Sequence, residues 1–162
     1  MTAIDYLAAL RDDGTALAVA AGQGLDAAVP ACDGWTVADL VLHTGTVHRH
    51  KLAHRPDQTA GFWRRRMAQE TVVHRVDAES ARGRAGPVPA ALAAETGDRW
   101  QVRLLPTGIE VGPGQATADA SAAGGAADLL WLWGRGPADP LGRTGDPALV
   151  PRVRELAAEA TQ

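Results

Sequence analysis

The pattern of apolar and polar positions divides the 162-residue chain into a helical first half and a mixed second half. From Thr2 to Gly22, Tyr6, Leu7, Leu10, Leu17 and Val19 supply the apolar surface of a first helix, with Thr2 and Asp5 spaced at its start as in a capping box. Gly14 interrupts it at a cost of about 1 kcal/mol relative to alanine. Pro30 and Gly34 mark a connection, after which GWTVADLVLHTGTVHRH opens a second helix. Thr36 and Asp39 form its capping pair, and Trp35 and Leu40 occupy the positions of a hydrophobic staple. On this helix Leu40, His43, Val47, His50 and His54 fall on one seven-residue repeat, and His48 is expected to point away from it. The third helix, Phe62 to Glu79, reads FWRRRMAQETVVHRVDAE without Gly or Pro. Its Trp63, Met67, Glu70, His74 and Asp77, followed by Ala81, recur at three- and four-residue spacings and share one stripe that begins apolar and turns ionisable.

Beyond this helix Gly83, Gly86, Pro87 and Pro89 read as a linker, so a helical domain is expected over 1–84 and a second domain over 85–162. A short helix is expected over Pro89 to Glu95. From Trp100 the period becomes two: Trp100, Val102 and Leu104 alternate with Gln101 and Arg103, Pro106 to Gly108 turns the chain, and Ile109 to Val111 returns as a hairpin. A weaker third strand is expected over Ala116 to Ala120. The run Ala126 to Trp133 is too apolar for water and predicts a helix packed on the sheet. Asp146 and Pro147 predict the cap and first turn of a last helix reaching Ala160. The fold class is α+β: about three long helices, then a small α+β domain.

Composition narrows the partners. A net charge of −3, with basic residues scattered apart from Arg64, Arg65 and Arg66, gives no nucleic-acid footprint. No apolar run approaches the roughly 20 residues that span a bilayer, and the N-terminus lacks the basic-then-apolar order of a signal peptide, so a cytoplasmic protein is expected. Cys32 is the lone cysteine, which excludes an internal disulfide and a cysteine-rich metal site. It is read as a packed small hydrophobe.

Glu70 and His74 stand four apart on one helix, the spacing by which a helix gives two ligands to one ion. The competing reading is an intrahelical hydrogen bond on a solvated face. His43, on the second helix, is by itself more often a hydrogen-bonded core residue than a ligand. Together the three make a His, Glu, His set from two helices, which suits a catalytic divalent metal, zinc above all, with a fourth position open. Asp77, one turn after His74, would orient its imidazole or else pair with an arginine. For an anionic substrate, one of Arg64 to Arg66 can face inward, and Arg135 can clamp a carboxylate from the second domain or simply complement a helix C-terminus.

GWTVADLVLHTGTVHRH and FWRRRMAQETVVHRVDAE closely resemble the mycothiol-dependent maleylpyruvate isomerase family, a branch of the DinB-like metal-binding helical bundles. The blocks WQVRLLPTGIEVGPGQATADAS, AADLLWLWGRGP and GDPALVPRVRELA are similar to that family's C-terminal domain. The resemblance implies that His43, Glu70 and His74 are the metal ligands and that mycothiol is the thiol cofactor. It implies isomerisation of a maleylpyruvate-like small electrophile, or thiol transfer. The chain departs from the family in having only RPDQTAG between His54 and Phe62, where members carry a further helix, so the DinB-like bundle is shortened. The apolar groove expected from that loss would be covered by the C-terminal domain or by a second copy in a homodimer. Two other functions fit the same residues. A non-catalytic or degenerate binding module would close the metal with His50 or Asp77. A metal-dependent hydrolase would use Asp77 or Glu79 as general base.

Overall fold

The computed structural model describes residues 4–53, 59–89, 92, 100–106, 108–114, 117–136 and 141–160. The chain forms two compact units, Met1–Leu92 and Ala93–Gln162. The first is helical among its described residues: α1 (Tyr6–Gly22), α2 (Val37–Ala53) and α3 (Ala60–Ser80). The second is α+β: β1 (Trp100–Leu105), β2 (Gly108–Pro113), β3 (Ala120–Ala123), α4 (Ala126–Leu132), β4 (Gly142–Gly145) and α5 (Leu149–Ala160).

Helix α1 starts later than the apolar pattern suggested. Asp5, not Thr2, is its cap, accepting from the backbone N–H groups of Leu7 at 3.1 Å and Ala8 at 3.0 Å. Thr2 lies outside the described residues. Its inward line is Asp13, Leu17, Ala20 and Ala21, whereas Leu7 and Val19 are exposed. Helix α2 starts as its sequence dictates: Thr36 N–H donates to Asp39 Oδ2 at 2.9 Å and Asp39 N–H to Thr36 Oγ1 at 3.3 Å. Leu40 is fully buried with Leu17, Val29, Val37 and Ala78, and Trp35 packs on that cluster. Cys32 packs there too, as a small hydrophobe would.

Helix α3, capped by Thr59, packs against both α1 and α2. From Met67 to Ala78 each of its residues is buried except Gln69, which is half-buried. Such a helix normally reads as apolar all round. This one buries Glu70, Thr71, His74, Arg75 and Asp77 instead, and it can do so because each meets a hydrogen-bonding or ionic partner. Arg75 is the largest of these commitments. Its guanidinium donates to Asp13 Oδ1 on α1 at 2.7 Å, to Glu79 Oε2 at 2.6 Å and to the Pro87 carbonyl at 2.9 Å, and Gly86 N–H donates to Glu79 at 2.7 Å.

The segment after α3 is thereby tied back to the helices, with Val88 and Leu92 buried. The units divide after Leu92, beyond the linker boundary expected after residue 84. The buried stretch of α3 has this segment fastened across Arg75 and Glu79, whereas Leu7, Val19, Val41 and Leu42 on α1 and α2 are exposed. The expected short helix at Pro89 to Glu95 falls almost wholly outside the described residues.

In the second unit the hairpin has the expected alternation, with Val102 opposite Val111 and Arg103 opposite Glu110. The third strand is displaced from expectation to Ala120–Ala123 and pairs antiparallel with β4 rather than with the hairpin. Trp131 of α4 is buried with Leu141 and Val150 against Ala120 and Ala122, so the apolar helix does cover a sheet. Asp146 receives the Ala148 N–H at 2.8 Å ahead of α5. No helix among the described residues is long and apolar enough to cross a membrane.

Candidate metal centre

The i, i+4 spacing of α3 puts the Glu70 and His74 side chains one above the other, and α2 brings His43 to them across the helix pair. His74 Nε2 lies 3.3 Å and His43 Nε2 3.7 Å from Glu70 Oε1. All three donor atoms lie within 4.8 Å of one another. A tetrahedron with metal bonds of about 2.1 Å to nitrogen and oxygen has an edge of about 3.4 Å, so the two distances to Glu70 are near that edge, and any wider separation of His43 from His74 would close on taking up one divalent ion. The rings of His43 and His74 meet edge to face at 5.2 Å, as do those of Trp35 and His43, which fixes the plane of the ligand on α2.

His74 is anchored from behind. Its Nδ1 lies 3.1 Å from Asp77 Oδ2, and the two side chains are 6% and 1% exposed. An ionised carboxylate only accepts, so Nδ1 carries the proton and Nε2 is the nitrogen turned to Glu70. Burial alone would lower the pKa of His74, but hydrogen bonds to Asp77 and Glu70 and their charges outweigh it and raise it. The Nε2 position that faces Glu70 therefore attracts a cation, proton or metal, and metal uptake there would release the proton. Glu70 is pushed up by burial, yet the hydrogen bond from His74 and the charges of Arg66, His74 and His43 hold it below its usual value. Burial and the neighbouring His74 lower His43, keeping its imidazole neutral and available as a ligand, although Glu70 pulls the other way.

Glu70 Oε2 is buried and receives no hydrogen bond, although Arg66 Nη1 stands 2.7 Å away. The two facts agree if the contact is a close ion pair without N–H alignment, and the distance is what sets the electrostatics. Arg66 is the member of the arginine run that turns to the site, while Arg64 is exposed. Exposure is uneven: His43 is 38% and Arg66 34% exposed, against 5% for Glu70 and 6% for His74. The site is closed below and open at the rim.

His48 does not point away, as the seven-residue repeat suggested. Its Nε2 is 2.9 Å from Thr71 Oγ1 on α3. Thr71 spends its own proton on the Met67 carbonyl, so His48 Nε2 is the donor. His50 is exposed and is not in the converging set among the described residues, and His54 lies outside them. Asp77 faces Nδ1 of His74, the side away from Glu70. Neither residue closes the set from where it stands, and Asp77 and Glu79 are committed to His74 and to Arg75 with Gly86. Arg135 belongs to the second unit, just past α4, where its guanidinium donates to the Trp133 carbonyl.

Fold and site thus define a helical bundle that presents a His, Glu, His set fit for one divalent ion, joined to a small α+β unit. Residues 7–57 match the family profile described as mycothiol maleylpyruvate isomerase N-terminal domain, which supports that family for this part of the chain. The match takes in α1, the capped start of α2 and His43, and ends before α3. No curated protein and no solved structure matches the chain.

Proposed function

We propose that the protein is a metal-dependent enzyme that uses an external low-molecular-weight thiol, mycothiol, to isomerise a maleylpyruvate-like cis alkene or to transfer the thiol to a small electrophile. The observation that carries this reading is the three-donor set with its donors buried on one side and its rim exposed at His43 and Arg66. A zinc ion there would lower the pKa of a bound thiol enough to hold it as the thiolate at neutral pH.

The chain's own residues do the rest. Asp77 holds the proton of His74 on Nδ1, which reserves Nε2 as a ligand. Trp35 holds the ring of His43. Arg135 is kept as the cation for a substrate carboxylate on the sequence reading alone, and Arg135→Ala is expected to raise KM. In the isomerisation the thiolate sulfur adds to one alkene carbon and the electron pair passes to the conjugated carbonyl. After rotation about the new single bond the pair returns, the thiolate leaves and the trans alkene remains, with no net oxidation. Cys32 packs in the core cluster, in keeping with a thiol brought from outside.

The test is metal content followed by thiol binding. One divalent ion per chain is expected, lost in His74→Ala. Cobalt-substituted protein should gain a thiolate-to-metal absorption on addition of mycothiol, retained in Cys32→Ser, and should turn over an activated cis alkene only with the thiol present. Fully metallated protein that ignores the thiol overturns the reading. Hydrolysis without thiol would select the hydrolase.

A further inference from the structure

Helix α2 buries one line of side chains, Val37, Leu40 and Thr44. At about 100° per residue, His43 and His48 stand on opposite flanks of that line, about 140° apart around the helix. Both nevertheless reach α3, and they reach consecutive residues of it. His43 Nε2 comes to 3.7 Å from Glu70 Oε1, and His48 Nε2 to 2.9 Å from Thr71 Oγ1.

The two contacts differ in kind. At 3.7 Å the first is long for a hydrogen bond, so before an ion is bound His43 is placed mainly by the edge-to-face contacts of its ring with Trp35 and His74. The second has the length of an ordinary hydrogen bond and a fixed direction. Thr71 is buried and gives its own proton to the Met67 carbonyl at 2.7 Å, so toward His48 it can only accept. A line of buried side chains can roll on its neighbour at little cost, because burial and dispersion have no direction. A hydrogen bond on one flank removes that freedom. The roll it selects decides how far the side chain on the other flank stands from α3.

We propose that His48 is a positioning residue of the metal centre: its hydrogen bond to Thr71 sets the roll of α2 that holds His43 within reach of Glu70 and His74. This rests on the metal reading above, although its first consequence shows without a metal. His48 is not itself a ligand, since the converging set among the described residues is His43, Glu70 and His74.

The zinc-free protein gives the first measurement. The His43 and His74 rings, 5.2 Å apart between centroids, show a nuclear Overhauser effect between their ring protons in the wild type. His48→Ala loses it. His48→Gln, whose NH2 group can donate to Thr71 from the same place, keeps it. Zinc affinity, read by competition with a chromophoric chelator, follows the ring contact: about tenfold weaker in His48→Ala, and within about twofold of wild type in His48→Gln. A ring contact and a zinc affinity that both survive His48→Ala, with only the urea midpoint lowered, overturn the proposal, because the bond would then serve stability alone. His48→Gln as impaired as His48→Ala also overturns it, since the effect would belong to the bulk of the imidazole and not to its hydrogen bond. Wild type that shows the ring contact but binds no zinc refutes the metal centre itself, and this inference with it.

Discussion

Asp77→Asn is a sharp probe of the site, because it changes one atom type and keeps the volume. Asp77 is 1% exposed and lies 3.1 Å from His74 Nδ1. As a carboxylate it can only accept, which forces the proton onto Nδ1. An asparagine can present either its oxygen or its NH2 group. With the oxygen toward Nδ1 the tautomer is kept but the negative charge that strengthens Nε2 as a ligand is lost. With the NH2 group toward Nδ1 the proton moves to Nε2 and the ligand is blocked. Partners of this kind are worth 10–100-fold in metal affinity, which is about 1.4–2.7 kcal/mol, and loss of both charge and tautomer control puts Asp77→Asn toward the upper end. The assay is competition for zinc against a chromophoric chelator, with circular dichroism showing that the helices persist. An Asp77→Asn protein that is folded and holds zinc within about threefold of wild type would falsify the claim that Asp77 sets the tautomer of His74.

Two further predictions concern the scaffold. Arg75→Met leaves the buried Asp13 and the half-buried Glu79 without their cation and should cost about 3 kcal/mol in urea unfolding. Asp13→Asn should cost about 1 kcal/mol or less, because an amide oxygen still accepts from Arg75 and burial, only partly countered by Arg75, already raises the Asp13 pKa and disfavours its charged form. For the same reason ionised Asp13 weighs on stability, by a penalty that builds as pH rises from the ordinary carboxylate value, is complete above its raised pKa and vanishes below the ordinary value; equal losses in the two variants would refute the asymmetry. Gly14→Ala should stabilise by about 0.4–1 kcal/mol, since the new Cβ meets only Thr71 Cγ2, at 4.0 Å, and the position has no positive φ; a lowered thermal midpoint would contradict this.

Where the sequence was legible, the reason is local chemistry. Thr36 with Asp39 starts α2 because two side chains three apart satisfy each other's backbone N–H groups, and no tertiary contact is needed to see it. Glu70, His74 and Asp77 read as one stripe and do stand together, because a single helix fixes all three. His43 was found through its pairing with that stripe. The misreadings required the other helix. On α2 the buried line runs through Val37, Leu40 and Thr44, with His48 beside it, and polar side chains fill this line because Thr44 bonds the Leu40 carbonyl and His48 bonds Thr71. A hydrophobicity count passes over them. The Asp13 to Arg75 pair joins residues 62 apart. Its one trace in the sequence is an aspartate set into the line Asp13, Leu17, Ala20, Ala21. The strand β4, Gly142–Gly145, has Gly and Arg where β-branched residues would announce it, and only its pairing with β3 defines it.

The two polar assemblies described above share one helix and meet at consecutive residues, His74 and Arg75. Consecutive positions on a helix point about 100° apart, so one assembly cannot form without the other taking a different face. The His74 face reaches α2 through His43, and the Arg75 face reaches α1 through Asp13 and the following segment through Pro87. With Glu70, Thr71, His74, Arg75 and Asp77 buried, α3 cannot rely on an all-apolar surface for its position. Directional contacts on both faces contribute to it: the Arg75 pairs hold a rotation of α3 about its axis in which Glu70 and His74 face His43. Burying charge in this way is rarely the most stabilising choice, since apolar residues of similar volume often do as well or better. It does define one register of α3 against its neighbours. Three donors that must meet at one point depend on that register, and the buried Arg75 pairs are among the contacts that hold it.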